Sequence, residues 1–358
     1  MKILITAPSL DERENVSGIS SVVRLIMTGS RENFYHFQAG RRDGEAAGIS
    51  WVFKQINSVP RFLRAIKREK INVVHINTAL NPLSIARDFF LVKAARIKRR
   101  PILLHLHGGR FLVEDFRSLW LKNLTEKMLR SASIILVLSE LEKQTITNRW
   151  KNLNIRVLEN AVAVDEIGKL KRLENNKQNE KTIIFLGRLH ESKGLHEIIE
   201  ACRILKAENF QFRFKCFGTG ELKDFFVTEM AAVLGENFFY GGVISGEEKW
   251  KQLVQSDIFL LPSKYGEGLP MAMLEAMAAG CIVVVSEMAS VGAVIKDGVN
   301  GFLVQPQNVP QLIEKLKMLL SDEINWKTLR RNAQETVAKE YNLPDYIKKL
   351  EEIYAEIR

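Results

Sequence analysis

Short apolar runs alternate with longer segments of helical period along the chain, and this alternation recurs in both halves. Runs rich in Val, Ile, Leu and Phe are typical of strands that are buried on both faces of a parallel sheet. The longer segments predict helices that cover those faces, so the pattern indicates the α/β class. We predict strands over residues 2–7, 72–77, 102–107, 133–139 and 155–160, and again over 182–187, 212–218, 238–243, 257–263 and 281–286.

The length of the chain predicts two domains, because 358 residues exceed what one hydrophobic core usually supports. We place the first domain at residues 1–165 and the second at 181–340. Residues 166–180 form the predicted linker, because most of this stretch is polar and without periodicity. Residues 341–358 predict an amphipathic helix that packs back on the first domain or bridges both.

The chain shows no sign of export or of a membrane span. Pro8 interrupts an apolar start that is too short for a signal peptide, and no run has the length that a spanning helix needs. Cys202, Cys216 and Cys281 lack metal-ligand spacing and fall within apolar segments. We therefore predict reduced core cysteines in a cytoplasmic protein.

Positive charge is concentrated in the first half of the chain. Residues 1–180 contain 31 Lys and Arg against 18 Asp and Glu, a net charge of +13, whereas the remaining residues carry −3. An anionic partner is expected for such a surface. Nucleic acid is not indicated, because the chain has no recognition-helix signature, aromatic RNA-binding strand or Cys/His finger.

A membrane surface fits residues 85–100 better. This segment combines the apolar run Phe89, Phe90, Leu91 and Val92 with five basic residues near its end, a pattern that favours anionic headgroups. We expect peripheral association with the inner face of the plasma membrane. The alternative is a solvated helix whose cations stabilise its own C-terminus.

Glycines and polar residues follow the carboxyl ends of the predicted strands. Open α/β sheets bind ligands at that edge, so two such domains facing each other would frame one cleft. The residues in question are Gly18, Asn77, His107 with Gly108 and Gly109, Asn160, Gly187 with Arg188, Gly218 with Gly220, and residues 263–268.

Two carboxylates, Glu267 and Glu275, lie in an otherwise apolar segment. Pro270 as a first helical residue and Gly280 as a left-handed cap predict a short buried helix over 270–279. Buried carboxylates require a cation or several donors, so either salt bridges or a polyhydroxylated ligand holds this pair.

The start of the same helix is a candidate anion site. Its first N–H groups, around Gly268, Leu269 and Met271, lack partners within the helix, and the helix dipole favours negative charge there. Such a terminus can hold a phosphate or a sugar oxygen.

Two cations, Arg188 and Lys193, lie five residues apart across a strand-to-helix turn. They can converge on one point beside free backbone N–H groups, which suits a diphosphate. The chain contains no Asp-x-Asp pair, so a bridging metal is not indicated and the cations would neutralise the leaving group. The alternative is a pair of surface cations bound to Glu191 or Glu197.

These motifs resemble the retaining, GT-B-fold glycosyltransferase family 4 (group 1), whose donors are nucleotide sugars. The resemblance rests on Arg188 and Lys193 followed by Glu-Gly-x-Pro-x-x-x-x-Glu-Ala-Met-Ala at 267–278. Residues 16–20 are similar to the family's glycine-rich first loop, and 298–304 to its late strand. The resemblance implies two Rossmann-like domains whose parallel sheets face each other across an inter-domain cleft.

The resemblance also implies roles for single residues. Arg188 and Lys193 would hold the donor diphosphate, Glu275 the ribose and Glu267 the donor sugar. His107 would contact the donor sugar and assist the reaction. Gly18 would allow close approach of the phosphates, Val243 and Ile244 would meet the base, and Asn160, Gly187, Gly218, Gly268, Leu269 and Met271 would complete the donor site.

The resemblance implies transfer of a sugar from a nucleotide sugar, a UDP- or GDP-sugar, to an acceptor hydroxyl with retention. The basic first domain and its amphipathic segment indicate a saccharide or lipid-linked acceptor, as in bacterial surface polysaccharide synthesis, and we expect no metal or other cofactor. His105 and His107 lie on one face of a predicted strand, but no third metal ligand is evident. Other readings are a nucleotide-sugar epimerase or α-glucan phosphorylase on the same fold, and a non-catalytic protein that binds membranes or nucleic acid.

Overall fold

A computed structural model describes residues 1–11, 14–15, 17–40, 57–112, 114–167, 170, 180–288, 290–321 and 323–358. The chain divides into two compact units, residues 1–160 with 343–358 and residues 161–342. Each unit contains one six-stranded sheet. The predicted linker, 166–180, lies mostly outside the described residues.

The first sheet is parallel throughout, as the buried apolar runs predict. Strand β2 was missed by the sequence prediction because it is an edge strand, half exposed and rich in polar residues. The other five predictions are confirmed, with ends that differ by up to three residues. The strands are β1 (Lys2–Ala7), β2 (Asn33–Gln38), β3 (Val73–Thr78), β4 (Ile102–Leu106), β5 (Ile134–Val137) and β6 (Ile155–Val157), in the order β2-β1-β3-β4-β5-β6.

Helices cover both faces of this sheet. They are α1 (Gly18–Gly29), α2 (Ser58–Arg68), α3 (Pro82–Ile97), α4 (Leu119–Leu129) and α5 (Glu140–Arg149). Right-handed crossovers place α2, α3 and α4 on one face, where α3 packs against both neighbours, and α1 on the other.

The second sheet is also parallel and repeats this plan. The five strands predicted from the apolar runs are confirmed, and the sixth falls within the stretch that resembles the family's late strand. The strands are β7 (Lys181–Leu186), β8 (Phe212–Phe217), β9 (Phe238–Tyr240), β10 (Ile258–Leu261), β11 (Ile282–Ser286) and β12 (Phe302–Val304), in the order β12-β11-β10-β7-β8-β9.

Strand order reverses at one point in each sheet, between β1 and β3 in the first and between β7 and β10 in the second. Connections diverge there to opposite faces, which leaves a crevice at the carboxyl ends of the two strands. The segments that follow β7 and β10 carry Arg188, Lys193 and Glu267.

The helices of the second unit include the predicted short buried helix, α9, which begins one residue later than expected. Pro270 has an extended ψ of 121° and precedes the helix, whereas Gly280 adopts the predicted left-handed φ of +81°. All three cysteines are buried and free, as predicted. The helices are α6 (Leu195–Ala207), α7 (Lys223–Leu234), α8 (Gly246–Val254), α9 (Met271–Ala278), α10 (Val291–Val294), α11 (Val309–Leu320) and α12 (Trp326–Glu340).

The last helix, α13 (Leu343–Ile357), belongs to the first unit, where it packs beside α1. Its buried Tyr354 shares a hydrogen bond of 2.6 Å with Nδ1 of His75 on β3. Burial lowers the pKa of His75 to about 3 and raises the pKa of Tyr354 well above its usual range. Both side chains are therefore neutral, and their hydrogen bond joins α13 to the sheet.

Replacing Tyr354 by Phe should destabilise the first unit by about 1–3 kcal/mol, because His75 would lose a buried hydrogen bond. The matched control is Tyr346→Phe on the same helix, since the buried Tyr346 hydroxyl has no hydrogen-bond partner among the described residues. Tyr346→Phe should leave stability unchanged or raise it. The measurement is hydrogen exchange of β3 peptides over a urea series, and equal losses in both variants would contradict the assignment.

Candidate active site

The segments after β7 and β10 are in backbone contact at the switch point of the second sheet. The N–H of Lys264 donates to the carbonyl of Ser192 at 2.7 Å. Gly194 has a φ of +72°, and a Cβ on it would lie 2.0 Å from the carbonyl oxygen of Pro262. Only glycine satisfies both the left-handed backbone and this approach, so Gly194 fixes the distance between the two segments.

This contact brings together Lys193 and Glu267, two of the predicted site residues. The Lys193 ammonium forms an ion pair with Oε1 of Glu267, and the Ser263 hydroxyl donates to the same oxygen at 2.7 Å. Ser263 belongs to the predicted cluster at 263–268, although no separate role was predicted for it. The cluster places a cation, a carboxylate and a hydroxyl at the carboxyl edge of the sheet.

The carboxylates considered as alternative partners of Lys193 form ion pairs with a different lysine. Lys264 binds Glu191 at 2.7 Å and Glu197 at 3.3 Å. Neither of these carboxylates pairs with Lys193, so the alternative considered for this lysine does not hold. Sequence proximity favours Glu191 and Glu197, whereas the crossing of the two loops brings in Glu267.

The second carboxylate, Glu275, is buried in α9 and pairs with Lys249 of α8 at 2.7 Å. Of the two explanations for the buried carboxylates, the structure shows salt bridges, with one lysine for each. Sequence reasoning missed Lys249, because it lies in a helix with Glu247, Glu248 and Lys251 that has the composition of an exposed surface.

Glycines also bring the segments after β7 and β8 close together. Gly218 has a φ of +131°, and a Cβ on it would lie 1.8 Å from the carbonyl oxygen of Gly187. The Gly218 carbonyl accepts a hydrogen bond from the Tyr240 hydroxyl at 2.8 Å. The backbone carrying Arg188, itself partly buried, is thereby fixed against its neighbour.

The other predicted donor residues of the second unit lie at the same edge of its sheet. Val243 is exposed and Ile244 partly buried in the connection from β9 to α8. Gly268, Leu269 and Met271 are buried where α9 begins. The first N–H groups of α9 lack partners within the helix, as expected for a helix that begins at Met271. The binding of an anion there stays a prediction.

In the first unit, Nε2 of His107 lies 2.7 Å from Oδ1 of Asn77. The Asn77 amide is oriented by Thr6, because its Nδ2 donates to the Thr6 carbonyl at 2.9 Å. Oδ1 therefore faces His107 and can only accept, so Nε2 of His107 must carry the proton. Burial lowers the pKa of His107 to about 3, which leaves a neutral ring with its lone pair on Nδ1.

Three histidine rings lie next to one another at this point of the first sheet. The ring centroids are 4.1 Å apart for His105 and His107, and 5.5 Å apart for His75 and His105. His105 and His107 thus lie on one side of the sheet, as predicted. Burial lowers the pKa of His105 well below its usual range. Among the described residues no group of three His, Cys, Asp or Glu side chains could hold a metal ion.

Two further predicted residues lie in the first unit. Gly18 is the first residue of α1, and a Cβ on it would meet nothing within 4 Å. The fold of the first unit therefore does not require glycine at position 18. The close approach of Gly18 to the donor phosphates stays a prediction. Asn160 is buried at the end of the first unit's main segment.

Solved structures share this two-sheet architecture. The chain superposes on HepE from Anabaena in complex with UDP-glucose with a TM-score of 0.77, at 19% identity over 99% of this chain and 100% of that chain. The superposition on sucrose-phosphate synthase from Thermosynechococcus elongatus has a TM-score of 0.76, at 17% identity over 99% of this chain and 98% of that chain. The fold is therefore GT-B, the class predicted from the sequence.

Family comparisons then identify the chain. Residues 167–336 match the family described as glycosyl transferases group 1, and residues 40–166 match glycosyltransferase family 4. Together the two matches span most of the chain. The protein therefore belongs to the family 4 (group 1) glycosyltransferases.

Similar bacterial proteins include a 41.2 kDa protein of the cps region of Klebsiella pneumoniae, 25% identical over 82% of this chain and 81% of that protein. The UDP-Gal:alpha-D-GlcNAc-diphosphoundecaprenol alpha-1,3-galactosyltransferase of Escherichia coli is 24% identical over 86% of this chain and 81% of that enzyme. The amylovoran biosynthesis glycosyltransferase AmsK of Erwinia amylovora is 34% identical over 48% of this chain, and the match spans only 44% of AmsK.

Replacing Asn77 by Asp should raise the pKa of His107 by about 1–3 units, because a carboxylate beside Nε2 stabilises the imidazolium. Activity that needs the Nδ1 lone pair should then fall as the pH drops through the new pKa, unlike that of the parent. Histidine ¹⁵N NMR reports both the tautomer and the titration. Asn123→Asp, an exposed position in the same unit, is the control. A parent ring protonated on Nδ1 would contradict the assignment.

Proposed function

We propose that the protein transfers a hexosyl group from a nucleoside diphosphate sugar, UDP- or GDP-linked, to an acceptor hydroxyl with retention of anomeric configuration and without a metal ion. The observation that carries the proposal is the cluster at the β7/β10 switch point. Lys193, Ser263 and Glu267 meet there, at the edge where α9 begins.

Cations and carboxylates at one edge suit a ligand that contains both phosphates and sugars. Lys193, Arg188 and the first N–H groups of α9 offer positive charge for a diphosphate. Glu267, which is partly buried, and Glu275, which is buried, each bind a lysine through Oε1, and among the described residues their Oε2 atoms make no hydrogen bond. Those oxygens can accept from sugar and ribose hydroxyls.

The mechanism that we propose is displacement on one face of the donor sugar. The acceptor oxygen bonds to the anomeric carbon as the bond to the diphosphate breaks, and the acceptor proton passes to a departing phosphate oxygen. Lys193 and Arg188 stabilise the charge that develops on the leaving group, which is the main catalytic contribution. Two successive displacements would instead need a carboxylate nucleophile, whereas we assign Glu267 to sugar hydroxyls.

In the first unit, we assign His107 to the donor sugar, with Nδ1 as the accepting nitrogen. Its ring is neutral and held by Asn77, so it can accept a hydroxyl proton in a hydrogen bond at physiological pH. This assignment depends on the tautomer that Asn77 selects.

For the acceptor, we propose a growing or lipid-linked saccharide of a bacterial surface polysaccharide, at the cytoplasmic face of the membrane. Support comes from two relatives, one of which acts in amylovoran biosynthesis, while the other is a galactosyltransferase named for a diphosphoundecaprenol-linked sugar. None of the helices in the described residues has the length and hydropathy to cross a bilayer.

Nucleotide binding tests the donor site. In calorimetry with UDP, GDP and ADP in the presence of EDTA, one nucleotide should bind the parent protein, and Glu275→Gln should weaken it about 10- to 100-fold through loss of charged hydrogen bonds to ribose. Glu236→Gln, at an exposed position, is the matched control. The Glu275→Gln substitution alone leaves Lys249 without its ion-pair partner. The double variant Lys249→Gln/Glu275→Gln removes that lysine as well, and its nucleotide binding should remain weak.

Binding of no nucleotide, or equal binding by all variants, would show that the donor site is wrongly assigned. Epimerisation of a nucleotide sugar without release of free nucleotide would show that the enzyme is an epimerase.

Replacing Lys193 by Gln should lower kcat about 100-fold, because its charge acts on the leaving group in the transition state. Lys193→Arg should restore part of the rate, and Lys206→Gln, an exposed lysine of α6, should have no effect. Steady-state transfer kinetics would measure this. A change in KM with kcat intact would show that Lys193 binds the ground state only.

A further inference from the structure

Exposed apolar side chains of the first unit are concentrated on two helices. Among its described residues six large apolar side chains are exposed, and five of them lie on α3 and α4. The sixth, Leu141, is in the first turn of α5. The five are Leu83 (45% exposed), Phe90 (52%), Ile97 (66%), Leu119 (77%) and Trp120 (65%), and we call them and the basic residues around them the α3–α4 surface.

On α3, the exposed apolar residues form one stripe. Leu83, Phe90 and Ile97 are seven residues apart, so they lie on one side of the helix along its length of about 20 Å. Leu91 and Val92 are buried in the core, which corrects the sequence prediction that the whole apolar run faces a membrane. Phe90 alone of that run is mostly exposed.

The exposed charge on α3 and directly after it is positive. Lys93 on α3, and Lys98, Arg99 and Arg100, which follow its last residue, are exposed and form no ion pair among the described residues. The acidic residue of this segment, Asp88, is buried and bound to Arg87 at 2.6 Å. The stripe is therefore bordered by cations without exposed acids, and the basic excess of the first half of the chain supplies the same sign over a wider surface.

We propose that the α3–α4 surface binds the anionic surface of a lipid membrane. A helix with exposed aromatic and aliphatic side chains beside Lys and Arg lies in the plane of the interface, with the apolar groups below the headgroups and the cations among them. Nucleic acid would use the cations but would leave the Leu83–Ile97 stripe in water. If a second copy of the chain packed its own α3–α4 surface against this one, the cations of both copies would lie close together and repel each other.

The position of this surface relates it to the proposed function, on which the following step rests. The first turns of α3 and α4 carry Leu83, Leu119 and Trp120, and both helices begin at the carboxyl edge of the first sheet. Asn77 and His107 lie at that same edge. Membrane binding would hold this edge beside the headgroups, where a lipid-linked acceptor presents its sugar.

Vesicle sedimentation with the full chain, in the absence of donor and acceptor, tests the proposal. Vesicles of phosphatidylglycerol and phosphatidylcholine in equal parts should bind the protein, and vesicles of phosphatidylcholine alone should bind it much less. Phe90→Ser/Trp120→Ser should weaken binding about 10-fold or more through loss of apolar burial. Arg99→Glu/Arg100→Glu should weaken it by a similar factor through loss of electrostatic attraction.

Each variant has a matched control. Phe225→Ser/Val299→Ser removes exposed apolar side chains from the second unit, and Lys348→Glu/Lys349→Glu changes the net charge equally on exposed positions of α13. Both controls should bind vesicles as the parent does. Circular dichroism and nucleotide binding of every variant separate a local effect from misfolding or a wrong donor site.

Several results would overturn the proposal. These are no binding to anionic vesicles, equal binding by all variants, or loss of a dimer in the Phe90→Ser/Trp120→Ser variant under sedimentation velocity, which would assign the surface to a second copy. Binding of single-stranded RNA that only Arg99→Glu/Arg100→Glu abolishes, with vesicle binding unchanged, would assign the cations to nucleic acid.

Discussion

The close approach of two loops at the β7/β10 switch point is the constraint on which the candidate donor site depends. Gly194 lies against the carbonyl of Pro262, where any Cβ would overlap the oxygen. Because of that contact, Lys193 and Glu267 can pair although they are far apart in sequence. Backbone sterics thus position the site, and the ion pair stabilises a geometry that glycine already permits.

The carboxylates of Glu267 and Glu275 are each suited to two roles, an ion pair within the protein and the binding of a ligand that we propose. Each is neutralised by one lysine through a single oxygen, which offsets the cost of removing a charge from water. The second oxygen retains its acceptor capacity. A side chain can therefore be part of a folded core and still bind a polyhydroxylated ligand, so salt bridge and ligand are not exclusive explanations for Glu267 and Glu275.

The sequence was sufficient to predict the fold class, the helix that contains Glu275 and, from apolar runs, ten of the twelve strands that the described residues form. Those features follow from local periodicity and from the conformational preferences of glycine and proline. Edge strand β2 was missed because it is too polar and exposed to show a buried pattern. Lys249 was missed for a different reason: a lysine that reaches into a core from a charged helix has no local signature. The Asn77–His107 bond joins two strands and likewise depends on their alignment in the sheet.

The chain leaves the first unit after Asn160 and returns to it at Leu343, so that Tyr354 can bond His75. During synthesis the ribosome releases the amino terminus first, and a nascent first unit would have β3 in place long before α13 exists. One face of its sheet, which carries His75, would stay incompletely covered until the second unit had been translated. The first unit therefore cannot complete its fold before the ribosome has synthesised the second.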